Sequence, residues 1–161
     1  MDFPFSPDNA RTPDGPTAPS GLAPLDWSVV TVKDAVFEAP EGKAKRITVT
    51  VAGRGFSFRE YLFLTERSLW KLKSLLMSLG TSHEAWKAEA KAQGVPWNHA
   101  GVLETVFVGR KFRARFAADS YTPYGQKVAV EARKITAYES CDPTVAKTQN
   151  QERQRRHRAR R

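Results

Sequence analysis

From Lys45 to Val51 the chain alternates without a break, with Ile47, Val49 and Val51 on one side and Arg46, Thr48 and Thr50 on the other. A period of two marks a strand with one buried face, because a helix would scatter the same residues around its circumference. The run Gly53-Arg54-Gly55 follows at once, and then a second aromatic-rich stretch, Gly55 to Leu64 (GFSFREYLFL). Glycine reaches positive φ at little cost, so the two stretches read as a hairpin. The alternation returns at Arg110 to Ala118, where Phe112, Ala114 and Phe116 oppose Lys111, Arg113 and Arg115. Strands that are apolar on one face only require a sheet closed over its own core or covered by helices.

The other elements fit around these. Ser28 to Glu38 reads as a first strand, followed by a turn at Pro40-Glu41-Gly42. Thr65 is the expected cap of a helix whose stripe is Leu69, Leu72, Leu76 and Leu79, widened by Trp70, Leu75 and Met77 and stopped at Gly80. Ser82 to Gln93 reads as a second, weaker helix with Trp86 on its buried side. Val102 to Val108 is short and apolar and reads as a strand. Ser120 to Gly125 is a turn, and Gln126 to Tyr138 a closing strand. The expected fold is therefore mainly β: a five-stranded antiparallel barrel like the OB-fold, with one main helix between strands 3 and 4.

Composition divides the chain into three zones. Residues 1–25 hold six of the ten prolines and a slight negative charge, and read as a disordered Pro-rich arm. Residues 26–142 form the folded domain. Residues 143–161 carry seven Lys/Arg against one Glu and read as a disordered basic tail. The whole chain has a net charge of +9, which points to polyanionic partners. No apolar run approaches the roughly 20 residues that span a bilayer, so no membrane partner is expected. The N-terminus has neither the charged nor the apolar region of a signal peptide, and the lone Cys141 cannot form an internal disulfide. Both features suggest a reducing cytoplasm.

Catalytic signatures are lacking. His83, His99 and His157 stand apart, no Cys or His lies at metal-ligand spacing, and there is no phosphate-binding glycine loop and no nucleophile elbow. Glu60, Glu104, Asp119 and Glu131 would have to converge through folding to hold a metal ion. The expectation is a protein that is not an enzyme, with no catalytic residue, metal or cofactor.

Binding residues are more legible. Single strands are held by cations that follow the phosphates and by aromatic faces that stack on unpaired bases. Arg54 and Arg59 lie beside Tyr61, while Lys111, Arg113 and Arg115 form a cationic row. Tyr121 and Tyr124 sit in a turn before Lys127, and Arg155, Arg156 and Arg158 lie in the tail. Phe56, Phe58, Phe112 and Phe116 alternate with polar or small residues and are assigned to the core, and the four tryptophans are assigned structural roles. Single-stranded DNA is the expected partner, with RNA as the alternative polynucleotide. An open strand edge could also pair with a second copy to make a homo-oligomer. A different reading makes the domain a structural or interaction protein whose basic tail docks on nucleic acid or an acidic partner.

Two stretches carry a resemblance: LTERSLWKLKSLLMSLG (Leu64 to Gly80), and VLETVFVGRKFRARFAADSYTPYGQKVAVEARKI (Val102 to Ile135). Their order of helix, V-G-R-x-F-x-A strand, acidic-x-Tyr turn and closing strand resembles small phage-encoded proteins found among replication and recombination genes. Those proteins look like OB-fold single-stranded DNA-binding proteins. The resemblance implies that class here, in a bacterial host cytoplasm, with phage replication or recombination proteins as partners. Bacterial single-strand binders usually end in an acidic tail that recruits enzymes, whereas this chain ends in arginines.

Overall fold

The computed structural model describes residues 21–159, so most of the Pro-rich arm and the last two arginines lie outside the described residues. The elements run β1 (Asp26–Glu38), β2 (Arg46–Gly53), β3 (Phe56–Phe63), α1 (Leu69–Ser78), α2 (His83–Gln93), α3 (Ala100–Phe107), β4 (Lys111–Tyr121), β5 (Val130–Glu139) and α4 (Pro143–Ala159). The strands make one antiparallel sheet in the order β3-β2-β1-β4-β5.

β1 is the hub. Its first half, from Asp26 to Thr31, pairs with β4, and its second half, from Thr31 to Glu38, pairs with β2. A register shift between Val32 and Asp34 inserts one extra residue, and such a bulge bends and twists a strand. That bend lets one strand serve two partners. The β2–β3 hairpin turns at Arg54-Gly55, where Gly55 has φ +82°, a conformation a side chain would resist.

The sheet is strongly curled. On a flat sheet β3 and β4 would lie about 14 Å apart, three strand spacings. Yet the rings of Phe56 and Phe58 on β3 meet Phe116 on β4 at centroid distances of 5.4 and 5.3 Å. Val30, Val32, Ile47, Val49, Val51, Leu62, Phe112 and Ala114 are buried with them. Burial of each large apolar side chain contributes roughly 1.5–3 kcal/mol, which explains why the alternation is so strict.

Curling brings the two edge strands face to face, but among the described residues no backbone ladder joins β3 to β5. Other groups bridge this seam. The Tyr138 hydroxyl on β5 donates to Glu60 on β3. Further along, Gly21 bridges Phe56, and the Ala23 carbonyl accepts a 2.8 Å hydrogen bond from Arg133 Nε.

Helix α1 packs on β3, β4 and β5, burying Leu72, Leu75 and Leu76. Gly80, at φ +75°, follows its end. The expected cap at Thr65 does not form. The helix begins four residues later, its N-cap is Ser68, and no side chain caps it. The expected main helix is α1 and the expected weaker one is α2, and α3 makes a third between β3 and β4. α2 is capped by the Ser82 hydroxyl, which accepts from Ala85 N at 3.1 Å.

Two further expectations are corrected. Val102 to Val108 is not a strand but lies mostly in α3. Its buried Val102, Leu103, Val106 and Phe107 recur at helical spacing, and the His99 ring caps its start by accepting from Gly101 N. The tail expected to be disordered is helical from Pro143 to Ala159 and packs on α1 and β5. Its anchor is the buried side chain of Gln149. Oε1 accepts from Ser140 N at 2.7 Å, while Nε2 donates to Ser78 Oγ at 2.8 Å and to the Ser74 carbonyl at 3.2 Å.

Candidate nucleic-acid interface

Alternation also decides what points outward. On β3 the outward residues are Ser57, Arg59, Tyr61 and Phe63; on β2 they are Arg46, Thr48, Thr50 and Ala52. The register sets Phe63 beside Arg46, Tyr61 beside Thr48, and Arg59 beside Thr50. β1 extends these rows with Glu38, Val36 and Asp34. Tyr61 and Phe63 are each 38% exposed, whereas on the other face of the same strand Phe56 is buried and Phe58 partly buried. The result is a rigid sheet surface carrying two half-exposed rings and two arginines.

The cation on this surface is held in place. Arg46 Nε donates to Glu38 Oε1 at 2.7 Å, and Thr48 Oγ1 donates to the same oxygen at 2.6 Å. The Thr48 hydrogen bond, and after it the Arg46 hydrogen bond, holds the Glu38 carboxyl below the usual carboxylate range. The Arg46 guanidinium lies 4.9 Å from the Tyr61 ring centroid, where ring and cation attract. Lys43 and Lys45 are exposed on the adjoining β1–β2 loop and add positive charge at the edge of the face.

The sequence-predicted residues fall into four places. Arg59 and Tyr61 sit on the β2–β3 face, with Arg54 exposed in the turn that ends it. Lys111, Arg113 and Arg115 do line the outer side of β4, but they are not equivalent. Arg113 is paired with Glu139 and lies 5.1 Å from the Trp27 ring centroid, whereas Lys111 and Arg115 are exposed. Tyr121, Tyr124 and Lys127 belong to a β4–β5 arm that runs past the last β1–β4 pair, Asp26–Phe116. There Tyr121 is 57% exposed and Tyr124 fully exposed, near exposed Val128 and Val130. In α4, Arg155 and Arg158 are exposed, while Arg156 lies 4.6 Å from the Trp70 ring centroid.

Phe63, Arg46 and the two loop lysines were not singled out by sequence. Phe63 shares Tyr61's parity, so the alternation alone sets both rings on one face of the strand. The approach of Arg46 to Tyr61 depends on strand register, which no local pattern reveals.

The scattered carboxylates stay scattered. Glu60 lies in the β3–β5 seam, where burial pushes its carboxyl above the usual range against the opposing hydrogen bond from Tyr138. Tyr138 is itself pushed up by burial and by Glu60. Glu104 is exposed on α3, and Asp119 and Glu131 lie on the β4–β5 arm. Among the described residues, no group of three His, Cys, Asp or Glu side chains is placed to hold a metal ion, and no helix is long and apolar enough to cross a membrane.

No protein-family model and no curated protein sequence matches the chain. Among solved structures, yeast RPA bound to ssDNA matches with a TM-score of 0.43 and 12% identity, over 88% of this chain and 92% of that one. A likeness this shallow fixes neither fold nor function.

Proposed function

We propose that this chain is a non-catalytic, sequence-tolerant single-stranded DNA-binding protein built on an OB-fold that is open at the β3–β5 seam. In an OB-fold, the face of strands 2 and 3 and the loops after strands 1 and 4 bind oligonucleotides. Here the equivalent surface carries Tyr61 and Phe63 half-exposed beside Arg46 and Arg59, and that observation carries the reading. The rings would stack on successive bases. Arg59, Arg54 and the loop lysines would follow the phosphates, and the β4–β5 arm would add Tyr121, Tyr124 and Lys127.

Stacking is blind to base identity, because every base has a π face, so the surface suits a protein that coats whatever strand is exposed. Such a protein would serve phage replication or recombination in a bacterial cytoplasm, the setting that the sequence resemblance implies. The face has no feature that selects deoxyribose over ribose, so RNA is a competitor to be measured.

The test is a fluorescence titration with unstructured thymidine oligomers, duplex DNA and uridine oligomers at several salt concentrations. The expected result is preference for single strands, ring quenching, and affinity that falls steeply with salt. Equal affinity for duplex, or binding indifferent to salt, would overturn the reading. Absence of oligonucleotide binding would favour the interaction-protein alternative, in which α4 docks on an acidic partner.

A further inference from the structure

Helix α4 presents its arginines in an unusual way. Its half-buried positions are Val145 and Ala146 near the start but Glu152, Arg153 and Arg156 further along, and among its described residues only Gln149 is buried. Between α4, α1 and β5 lies a cleft of about 170 Å³ that includes Trp70, Ser74, Thr136, Arg153, Arg156 and His157 in its lining. Three basic side chains and three hydroxyl residues, Ser74, Thr136 and Tyr138, thus meet around one hollow, and no Asp or Glu lines it. Like charges brought together repel unless an anion joins them.

Glu152 lines the adjoining hollow with Trp70, Ser74 and Arg156, and the Glu139 carboxylate at the end of β5 is largely committed elsewhere. Glu139 is paired closely through Oε1 with Arg113, and its Oε2 lies 3.8 Å from Arg153. Among the described residues, Arg156 has no acidic partner within salt-bridge distance. Its guanidinium lies 4.6 Å from the Trp70 centroid. A ring attracts a guanidinium without consuming its N–H donors, so those donors remain available to an oxyanion. A planar guanidinium can pair bidentately with phosphate. The Gln149 hydrogen bonds to Ser74, Ser78 and Ser140 anchor α4 beside the cleft, so this arrangement is built before any ligand arrives.

We propose that this cleft binds a phosphate group, with Arg156 and Arg153 as its charge partners and His157, Ser74 and Thr136 around it. It shares no residue with the β2–β3 face and is a separate site. Three sources offer the same chemistry: a free nucleotide, the terminal phosphate of a strand, and an internal phosphodiester.

The probe is thymidine 5′-monophosphate, titrated into the full chain by calorimetry. Thr136→Glu puts a carboxylate into the cleft from β5 without altering α4, and Arg156→Leu keeps an apolar contact with Trp70 while removing the charge. Binding that falls about tenfold or more in both variants, with helix content preserved in circular dichroism, is the expected result. No nucleotide binding by the unmodified chain, or binding that Thr136→Glu leaves unchanged, overturns the proposal. The nucleotide has no strand for the β2–β3 face to follow, so this result is independent of whether oligomers bind. Thymidine oligomers with and without a 5′-phosphate then separate the sources. Tighter binding of the phosphorylated oligomer assigns the cleft to strand ends. Equal binding, weakened for both by Thr136→Glu, assigns it to the internal backbone.

Discussion

The β2–β3 face and the α4 arginines use the same residue types in opposite ways. On the face, Tyr61 and Phe63 remain half-exposed, and Arg46 is fixed by a carboxylate against one of them. At α4, arginines lie over Trp27 and Trp70 and help to hold the helix on the domain. The first arrangement leaves ring surface for a base; the second spends ring surface on protein structure. Counting cations and aromatics cannot separate these cases. What separates them is whether the ring still faces water once the cation has settled.

The sharpest way to break this contrast is to remove the rings from the face. Tyr61→Ala with Phe63→Ala is expected to weaken oligonucleotide binding on the order of 100-fold, since each stacked base contributes about 1–3 kcal/mol. Both side chains point away from the core, so the melting temperature should change little. Unchanged affinity would move the site to the β4–β5 arm or to α4.

Next in size is the anchor of α4. Gln149→Leu keeps bulk but leaves the buried Ser140 N–H without its acceptor. A cost of about 1–3 kcal/mol is expected, seen as a fall of roughly 5 °C in melting temperature with loss of helical signal. If α4 is a structural element, binding by the β2–β3 face should survive this change. Full retention of stability would mean that α4 contributes nothing to the fold.

A smaller effect is expected from the exposed arginines. Arg155→Ala with Arg158→Ala removes two charges that touch no ring. Affinity should fall only a few-fold. If both contact phosphates, the slope of log affinity against log salt should shrink by about 1.4, and an unchanged slope would exclude them from the interface.

What the sequence could reveal follows from the range of the interactions involved. β2, β3 and the start of β4 were legible because each repeats a two-residue pattern in which every second residue is core, and that signal is local. α3 was misread because Val102 to Val108 is apolar nearly throughout, and so short a run has no clear period. The tail was misread because α4 docks through Gln149 and through arginines on tryptophan rings, and hydropathy scores all of these as solvent-loving. The β3–β5 seam was invisible: Glu60 and Tyr138 are distant in sequence, and only the curl of the sheet brings them together. On the face itself, Arg59 and Tyr61 were legible from the strand, while Arg46 needed the register.

Glu60 supplies the finest test, because it sits between Arg59 and Tyr61 in the chain yet points to the other side of the sheet. Its carboxyl is raised by burial, so the folded protein holds the proton more tightly than the unfolded chain does. Stability should therefore fall as pH rises from the ordinary glutamate pKa through the raised value, where ionising the buried group begins to cost. Glu60→Gln keeps an oxygen to accept from the Tyr138 hydroxyl and removes the charge. The variant should match the parent in melting temperature at acidic pH and exceed it at neutral and alkaline pH, with oligonucleotide affinity unchanged throughout. A change in affinity equal to that of an Arg59 or Tyr61 variant would mean that the two sides of β3 are not independent, and the contrast between a wet face and a committed one would have to be redrawn at the level of the whole strand.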